Sequence, residues 1–380
     1  MFIFSPSGAV NYLVLAAGKC ILSLEVGTSE ISSFNLPERK DPAEADDEDD
    51  SKTKSSGEIN RDIQNCAVFG NKFLAITTND KCLFVFSVTN WHPLEANLIA
   101  ERKIPRVSSA TCFSRDGKCL LVADKSGDCT KYNCSQENLP EQQLGGHLSI
   151  VTDILLTADE KFFITSDRDE KIRVTKFPES YEIETYCMGH REFVSKIDLL
   201  PHDESLLVSL SGDSSIRLWE YLKGKEIYRI DLPGAGIQMV CRAEGSSSRS
   251  SSLFAVYINE TDSLVIIRIS GSSSFQHEIV KTISTEDFFV DSLNFSNSQL
   301  LVFGVSQKDD YHAEIRAFDT SNWDPIDLSR VNESLKDRLG SFRNNNPGET
   351  ISGLFKKKYS NIEEYHERKR KRLELKKANK

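Results

Sequence analysis

The chain has 380 residues, with 57 Asp or Glu against 47 Lys or Arg, a formal net charge of −10 and 39% apolar residues. That composition suits a globular chain able to bury a sizeable core. No apolar run nears the ~18 residues a membrane span requires, so no membrane partner is expected, and the acidic excess disfavours nucleic acid as a general partner.

Met1 to Cys20 is mildly apolar, lacks a basic leading segment and alternates as a strand does, so it reads as a strand and not as a signal peptide. Strand-rich units then follow at 2–36, 62–88, 108–134, 150–177, 194–222, 236–270 and 288–319. Each is a set of short apolar or β-branched runs broken by turns such as Asn79-Asp80 and Ser126-Gly127-Asp128. Residues 38–60 hold Glu44-Ala45-Asp46-Asp47-Glu48-Asp49-Asp50, and dense like charge predicts a disordered acidic loop. A Ser-rich loop is expected at 245–252. The units form one domain, 1–340, whose ends are expected to share a blade so that no sheet edge is left bare.

Residues 341–380 form a C-terminal extension. Asn344-Asn345-Asn346-Pro347-Gly348 breaks the chain, and Ser360-Asn361-Ile362-Glu363 reads as a capping box. The helix it opens is strongly basic: Arg368, Lys369, Arg370, Lys371 and Arg372, then Lys376 and Lys377. From Leu354 to Lys380 there are 11 Lys or Arg against 4 Asp or Glu. Such a tail is either a solvated import signal or a grip on nucleic-acid phosphates, whose binding would be steeply salt-dependent.

No catalytic motif is present: no Gly-x-Ser-x-Gly, phosphate loop or Gly-x-Gly-x-x-Gly after a strand. The seven histidines make no His-x-x-x-His pattern. The nine cysteines are odd in number, lack Cys-x-x-Cys spacing and fall mostly in apolar runs. They read as small buried hydrophobes of a reducing compartment, not disulfides or metal ligands.

The organising stretch is 146–221, two copies of one pattern. Gly146-His147 recurs as Gly189-His190, 43 residues on, and Asp169-Glu170-Lys171-Ile172-Arg173 recurs as Asp213-Ser214-Ser215-Ile216-Arg217. Repeats of ~40–45 residues with Gly-His starts and Trp-acidic ends are those of WD propellers. The chain is therefore expected to be all-β, a seven-bladed WD-repeat β-propeller with a basic C-terminal helix. The polar residues of the pattern have a structural reading. The blade's His bonds a Ser or Thr on the second strand, a turn Asp holds the His, and an indole closes the relay. The second copy has His190, Ser209 or Ser211, Asp213 and Trp219; in the first, His147 is paired with Asp169, and Thr175 stands where the Trp would be.

The charge in Asp167-Arg168-Asp169-Glu170-Lys171-Ile172-Arg173 exceeds what a blade turn needs, and Lys125 occupies the matching turn of the preceding unit. Equivalent turns share one rim, so these residues make a mixed-charge patch suited to a complementary protein surface. Together, Leu121 to Asp128, Gly146 to Ser149, Ser166 to Val174 and Gly189 to Ser195 resemble the WD-repeat, non-catalytic subunit of tRNA (guanine-N7-)-methyltransferase. The similarity resumes at Leu354-Phe355-Lys356. The resemblance implies a scaffold in a heterodimer with a Rossmann-type catalytic subunit. That partner carries S-adenosylmethionine and forms N7-methylguanosine in the tRNA variable loop, so no cofactor is expected on this chain. It further implies that Lys125, Arg168, Asp169, Glu170, Lys171 and Arg173 dock the partner, that the basic helix lies near tRNA or the junction, and that the location is the nucleus. The alternative from a different class is a nuclear WD-repeat adaptor or ubiquitin-ligase substrate receptor.

Overall fold

The structure is a computed structural model that describes residues 2–4, 12–25, 30–38, 61–136, 138–244, 251–296, 298–307, 311–339, 351–356, 366 and 369–370. Its strands form seven four-stranded antiparallel sheets, each built from four consecutive strands. These are the blades of a β-propeller. Blades 1 to 7 span 2–35, 63–103, 108–146, 151–187, 194–231, 236–284 and 288–326.

The expected units begin where the blades begin, but from blade 2 onward they omit most or all of the outermost strand. The reason lies in burial. Inner strands such as Phe162–Asp167 are almost wholly buried, whereas outer strands such as Lys225–Asp231 and Gln276–Ser284 are largely exposed. An exposed edge strand has no apolar face to alternate, so the period-2 signal vanishes. The Ser-rich loop is also shorter than expected. Ser251 and Ser252 belong to the strand Ser251–Ile258, and Ser252 is fully buried, accepting the His202 amide and contacting its Nδ1. Residues 245–250 and nearly all of the acidic 38–60 segment lie outside the described residues.

The core lies between blades. Seven apolar clusters each bridge two neighbouring blades, and one of them joins blade 7 back to blade 1. Among the described residues every blade is built from four consecutive strands, and the expected shared blade is not found. Closure is instead made by side chains: Leu13, Leu15 and Leu22 of blade 1 pack with Leu301, Phe303 and Ile315 of blade 7. Face-to-face packing of this kind removes apolar area from water without exchanging strands, so the ring is closed while the outer edges stay free.

A helix, Ser329–Leu339, clasps this seam. Asp327 caps it through the Ser329 amide, 2.9 Å. Val331 and Leu335 are its buried face, inserted in the same cluster. The last strand, Pro325–Ile326, has only two residues and leaves Ile315 unpaired on that side. Asn332 replaces the missing strand: its side-chain carbonyl accepts the Ile315 amide and its NH2 donates to the Ile315 carbonyl, both 2.9 Å. Arg338 reaches Ser33 on the outer strand of blade 1, 3.2 Å.

One backbone bond recurs in six blades and fixes the rim. The first residue after the second strand donates to the carbonyl preceding the first strand: Asn79 to Asp62, Lys125 to Val107, Arg168 to Ile150, Gly212 to Phe193, Asn259 to Ala235 and Gln307 to Asp287. Lys125 and Arg168 thus occupy equivalent places in adjacent blades.

Asn332→Ala should orphan both Ile315 groups and lower the unfolding free energy by about 1–3 kcal/mol. A urea titration checks this, and the loss should appear as a lower midpoint at unchanged slope. A midpoint equal to wild type would show that the Asn332 clasp contributes nothing.

Candidate partner-docking rim

The rim is held from beneath by two buried relays. In blade 5, His190 Nδ1 lies 3.1 Å from Asp213 and its Nε2 lies 2.7 Å from the Ser209 hydroxyl. The Trp219 indole N–H donates to the same hydroxyl, 2.8 Å. A carboxylate only accepts, so Nδ1 carries the hydrogen; Ser209 then donates to Nε2 and accepts from the indole. The relay hydroxyl is Ser209, whereas Ser211 bonds the Glu192 carbonyl and the Asp213 amide.

In blade 4 the acid is not the expected one. His147 bonds Asp167, 2.9 Å, and Thr165, 2.6 Å. Asp169 does not take part. The reason is that Asp167, at the end of its strand, also accepts the Lys171 amide, 2.8 Å, and so closes the turn from below. Asp169 and Glu170 are thereby left at the surface. Thr175 is buried in the place of the indole, its hydroxyl without a partner among the described residues.

Burial opposes the Asp213 carboxylate, but hydrogen bonds from His190, Ser215 and the Arg191 amide outweigh it and hold its pKa far below the usual range. Burial also depresses the His190 imidazole, against the pull of Asp213. Asp167 is likewise lowered: burial is overcome by His147 and the Lys171 amide.

Above the relays stand the two charged turns. Asp124 accepts the amides of Ser126, Gly127 and Asp128 at 2.7, 3.0 and 3.1 Å, which leaves Lys125 exposed at the apex. Gly127, at φ +106°, lies under the next loop, where a Cβ would stand 2.3 Å from the His147 carbonyl. Only glycine permits that approach. Arg168, Asp169, Glu170 and Lys171 are half-buried in the matching turn of blade 4, with Glu170 in the left-handed region at φ +73°.

Arg173 stands apart from these five. It is 7% exposed and donates through Nη1 to the Gly146 carbonyl, 2.6 Å. It is a strut beneath the rim rather than part of its surface. Arg217 is its counterpart in blade 5, bonded to Asp213, Ser215 and Glu226.

The rim receives a segment that the strand pattern did not place. Ile351 is buried, and Phe355 meets Phe193 edge-on with centroids 5.0 Å apart. Lys356 then donates to Glu170 and lies 3.9 Å from Asp169. The hydrogen bond to Glu170 raises the Lys356 pKa, and the nearby charges of Asp169 and Glu192 add to it. Three rim atoms are buried without a partner among the described residues: Ser149 Oγ, Arg168 Nε and one Glu192 carboxylate oxygen. Of the basic tail, Lys369 and Arg370 are helical and exposed. Arg368, Lys371, Arg372, Lys376 and Lys377 lie outside the described residues. Among the described residues no helix is long and apolar enough to cross a membrane.

These features define a WD-repeat β-propeller whose built surface is a charged rim over buried His–Asp relays. Two solved structures share the fold: the Mitotic Checkpoint Complex (TM-score 0.59, 14% identity, 79% of this chain and 87% of that chain) and the WD40 propeller domain of Doa1 (TM-score 0.54, 13% identity, 70% and 81%). The tRNA methyltransferase TRM82 WD40 domain family matches residues 30–138 and 129–322. Similar relatives are tRNA (guanine-N(7)-)-methyltransferase non-catalytic subunits named wuho. That of Drosophila mojavensis is 33% identical over 87% of this chain and 86% of its own length. That of Aedes aegypti is 35% identical over 80% and 76%. The chain belongs to this family of tRNA (guanine-N7-)-methyltransferase non-catalytic subunits.

Two outcomes follow for the relay. Ser209→Ala leaves the Trp219 indole and His190 Nε2 unpaired and should cost about 1–3 kcal/mol for each orphaned group, read as a lower urea midpoint. Because His190 is depressed when folded, the unfolded chain binds a proton near pH ~6.5 that the folded chain refuses. Stability is complete above that pH and declines below it, through the folded value. Asp213, also depressed, acts in the same sense at lower pH: its contribution is complete above ~3.9 and is lost as the pH falls through its folded value. His190→Gln should flatten the midpoint-versus-pH curve between about pH 7 and 5, and an unchanged slope in thermal melts would refute this.

Proposed function

We infer that this chain docks the catalytic subunit of a tRNA (guanine-N7-)-methyltransferase as one half of a heterodimer and holds that subunit in its active conformation. The observation that carries the reading is the match to relatives named as non-catalytic subunits, 33% identical over 87% of the chain. The partner binds S-adenosylmethionine and transfers the methyl group to N7 of a guanine in the tRNA variable loop; this chain supplies no group to that step.

Docking activates only if the rim binds the active conformer of the partner more tightly than the inactive one. Lys125, Arg168 and Lys171 suit acidic groups on the partner, and Asp169 and Glu170 suit basic ones, which fixes orientation as well as attraction. The basic residues from Arg368 to Lys377 suit tRNA phosphates by their charge. The other reading of the same cluster is a signal for import to the nucleus.

N7-guanine methylation of bulk tRNA by the cognate catalytic subunit, with and without this chain, tests the reading. Activity should require the chain. Lys171→Glu should weaken complex formation and reduce methylation at limiting chain while leaving the unfolding free energy from urea titration within ~0.5 kcal/mol of wild type, since it is a surface change. Dependence on the chain without sensitivity to Lys171→Glu would move the interface elsewhere. Independence from the chain would leave a propeller that adapts other proteins.

A further inference from the structure

The charged rim adjoins a surface of opposite character. Nine large hydrophobic side chains are exposed in the described chain, and four of them, Tyr181, Ile183, Tyr186 and Met188, fall in the eight residues around the outer strand of blade 4. Singly scattered exposed hydrophobics are ordinary; a run of them on one edge strand is not. The strand is bulged, with Val174 opposite Thr185 and Thr175 opposite Ile183, as protected edges commonly are, yet it still presents Ile183 and Tyr186 to solvent, with Met188 exposed just past its end.

The upper end of that strand meets the rim through Arg173. Arg173 pairs in register with Tyr186, two residues before Met188. Its guanidinium holds the Gly146 carbonyl, two residues before Leu148. Leu148 is completely exposed, the most exposed large hydrophobic of the described chain. Its loop is locked in place: the His147 ring is tied to Asp167 and Thr165, the His147 amide donates to the Gly127 carbonyl at 2.8 Å, and the Ile150 carbonyl accepts from Arg168. Leu148 is thus presented by a fixed loop, between the turn bearing Lys125 and the turn bearing Arg168. An apolar side chain so held loses little conformational freedom when it is covered.

We propose that Leu148, Tyr186 and Met188 form the apolar centre of the contact with the catalytic subunit, and that Lys125, Arg168 and Lys171 form its charged margin. The proposal rests on the docking reading above and adds where the binding energy resides. Interfaces concentrate their energy in a desolvated apolar centre ringed by polar groups that exclude water. The arrangement here has that order, with the Ser149 hydroxyl and Arg168 Nε, buried and without a partner among the described residues, beside the centre. The matching surface on the partner is an apolar depression with acidic groups on the side facing Lys125, Arg168 and Lys171. Arg173 is a positioning residue, which fixes the Gly146 carbonyl under Leu148 and touches no partner.

The test uses the full-length chain and the cognate catalytic subunit, with affinity measured at two salt concentrations. Leu148→Ser with Met188→Ser should raise the Kd more than about tenfold. Neither side chain is buried, so the urea midpoint should stay at the wild-type value. The loss should persist in high salt, because it removes apolar area. The loss from Lys171→Glu should shrink in high salt, because exposed charges are screened. If the double serine variant binds as wild type does while Lys171→Glu is weakened, the docking reading stands and the apolar centre is refuted. If wild-type chains do not associate at all, both fall. If the free chain self-associates and the double variant abolishes only that, the surface serves a second copy of this chain and the proposal is overturned.

Discussion

The rim depends on a histidine held between a carboxylate and a hydroxyl. In blade 4 the chain of bonds runs Asp167–His147–Thr165, and in blade 5 Asp213–His190–Ser209–Trp219. Each histidine sits in the loop leading into its own blade, and each acid sits beside the turn between that blade's second and third strands. A buried polar chain is stabilising only when every member is satisfied. Its geometry is therefore narrow, and the loops and turns above inherit that precision. The two copies reach it differently. Blade 5 has the indole and a turn acid; blade 4 lacks the indole and takes its acid two residues earlier, at the strand end. That shift releases Asp169 to the surface, and with it the mixed charge that distinguishes this rim from an ordinary blade turn.

Ring closure shows a comparable economy of means. The seven sheets are each made from consecutive strands, so nothing topological holds blade 7 to blade 1. The work falls to an apolar interface and to a helix whose Asn332 supplies both hydrogen-bonding partners that the short last strand fails to provide. The C-terminal chain reaches the propeller again at Ile351–Lys356. There a hydrophobic contact on Phe193 and an ion pair with Glu170 bring it to the rim. Lys356 thus adds a cation from outside the blades to a surface that already carries Lys125, Arg168 and Lys171. Ring closure and the delivery of the tail both rely on segments after the last blade.

Much of this was legible in advance, and unevenly so. The repeat of Gly-His and Asp-x-x-Ile-Arg located blades 4 and 5, and the start of every blade was readable from the inner strands, because buried strands carry continuous apolar runs. Outer strands were not readable, since their side chains face water. Lys125, Arg168, Asp169, Glu170 and Lys171 could be grouped from equivalent turn positions, because repeat symmetry converts spacing in sequence into neighbourhood in space. Arg173 could not be separated from them, as charge in a sequence does not reveal depth. Its charge alone reads as surface, yet it lies beneath.

The sequence by itself determined the repeat, the blade number and His190, Asp213 and Trp219 of the blade 5 relay, because each belongs to a local pattern repeated at fixed spacing, while the family followed from the resemblance of particular runs; the choice of Ser209 over Ser211 was left to the fold. Only the tertiary structure decided which acid serves His147, how the ring closes, that Lys356 returns to Glu170, and that Arg173 of blade 4 holds the Gly146 carbonyl two residues before the exposed Leu148. Each of these joins residues whose separation in the chain follows no period, and whether they meet depends on packing, turn geometry and burial, which no single stretch of sequence contains.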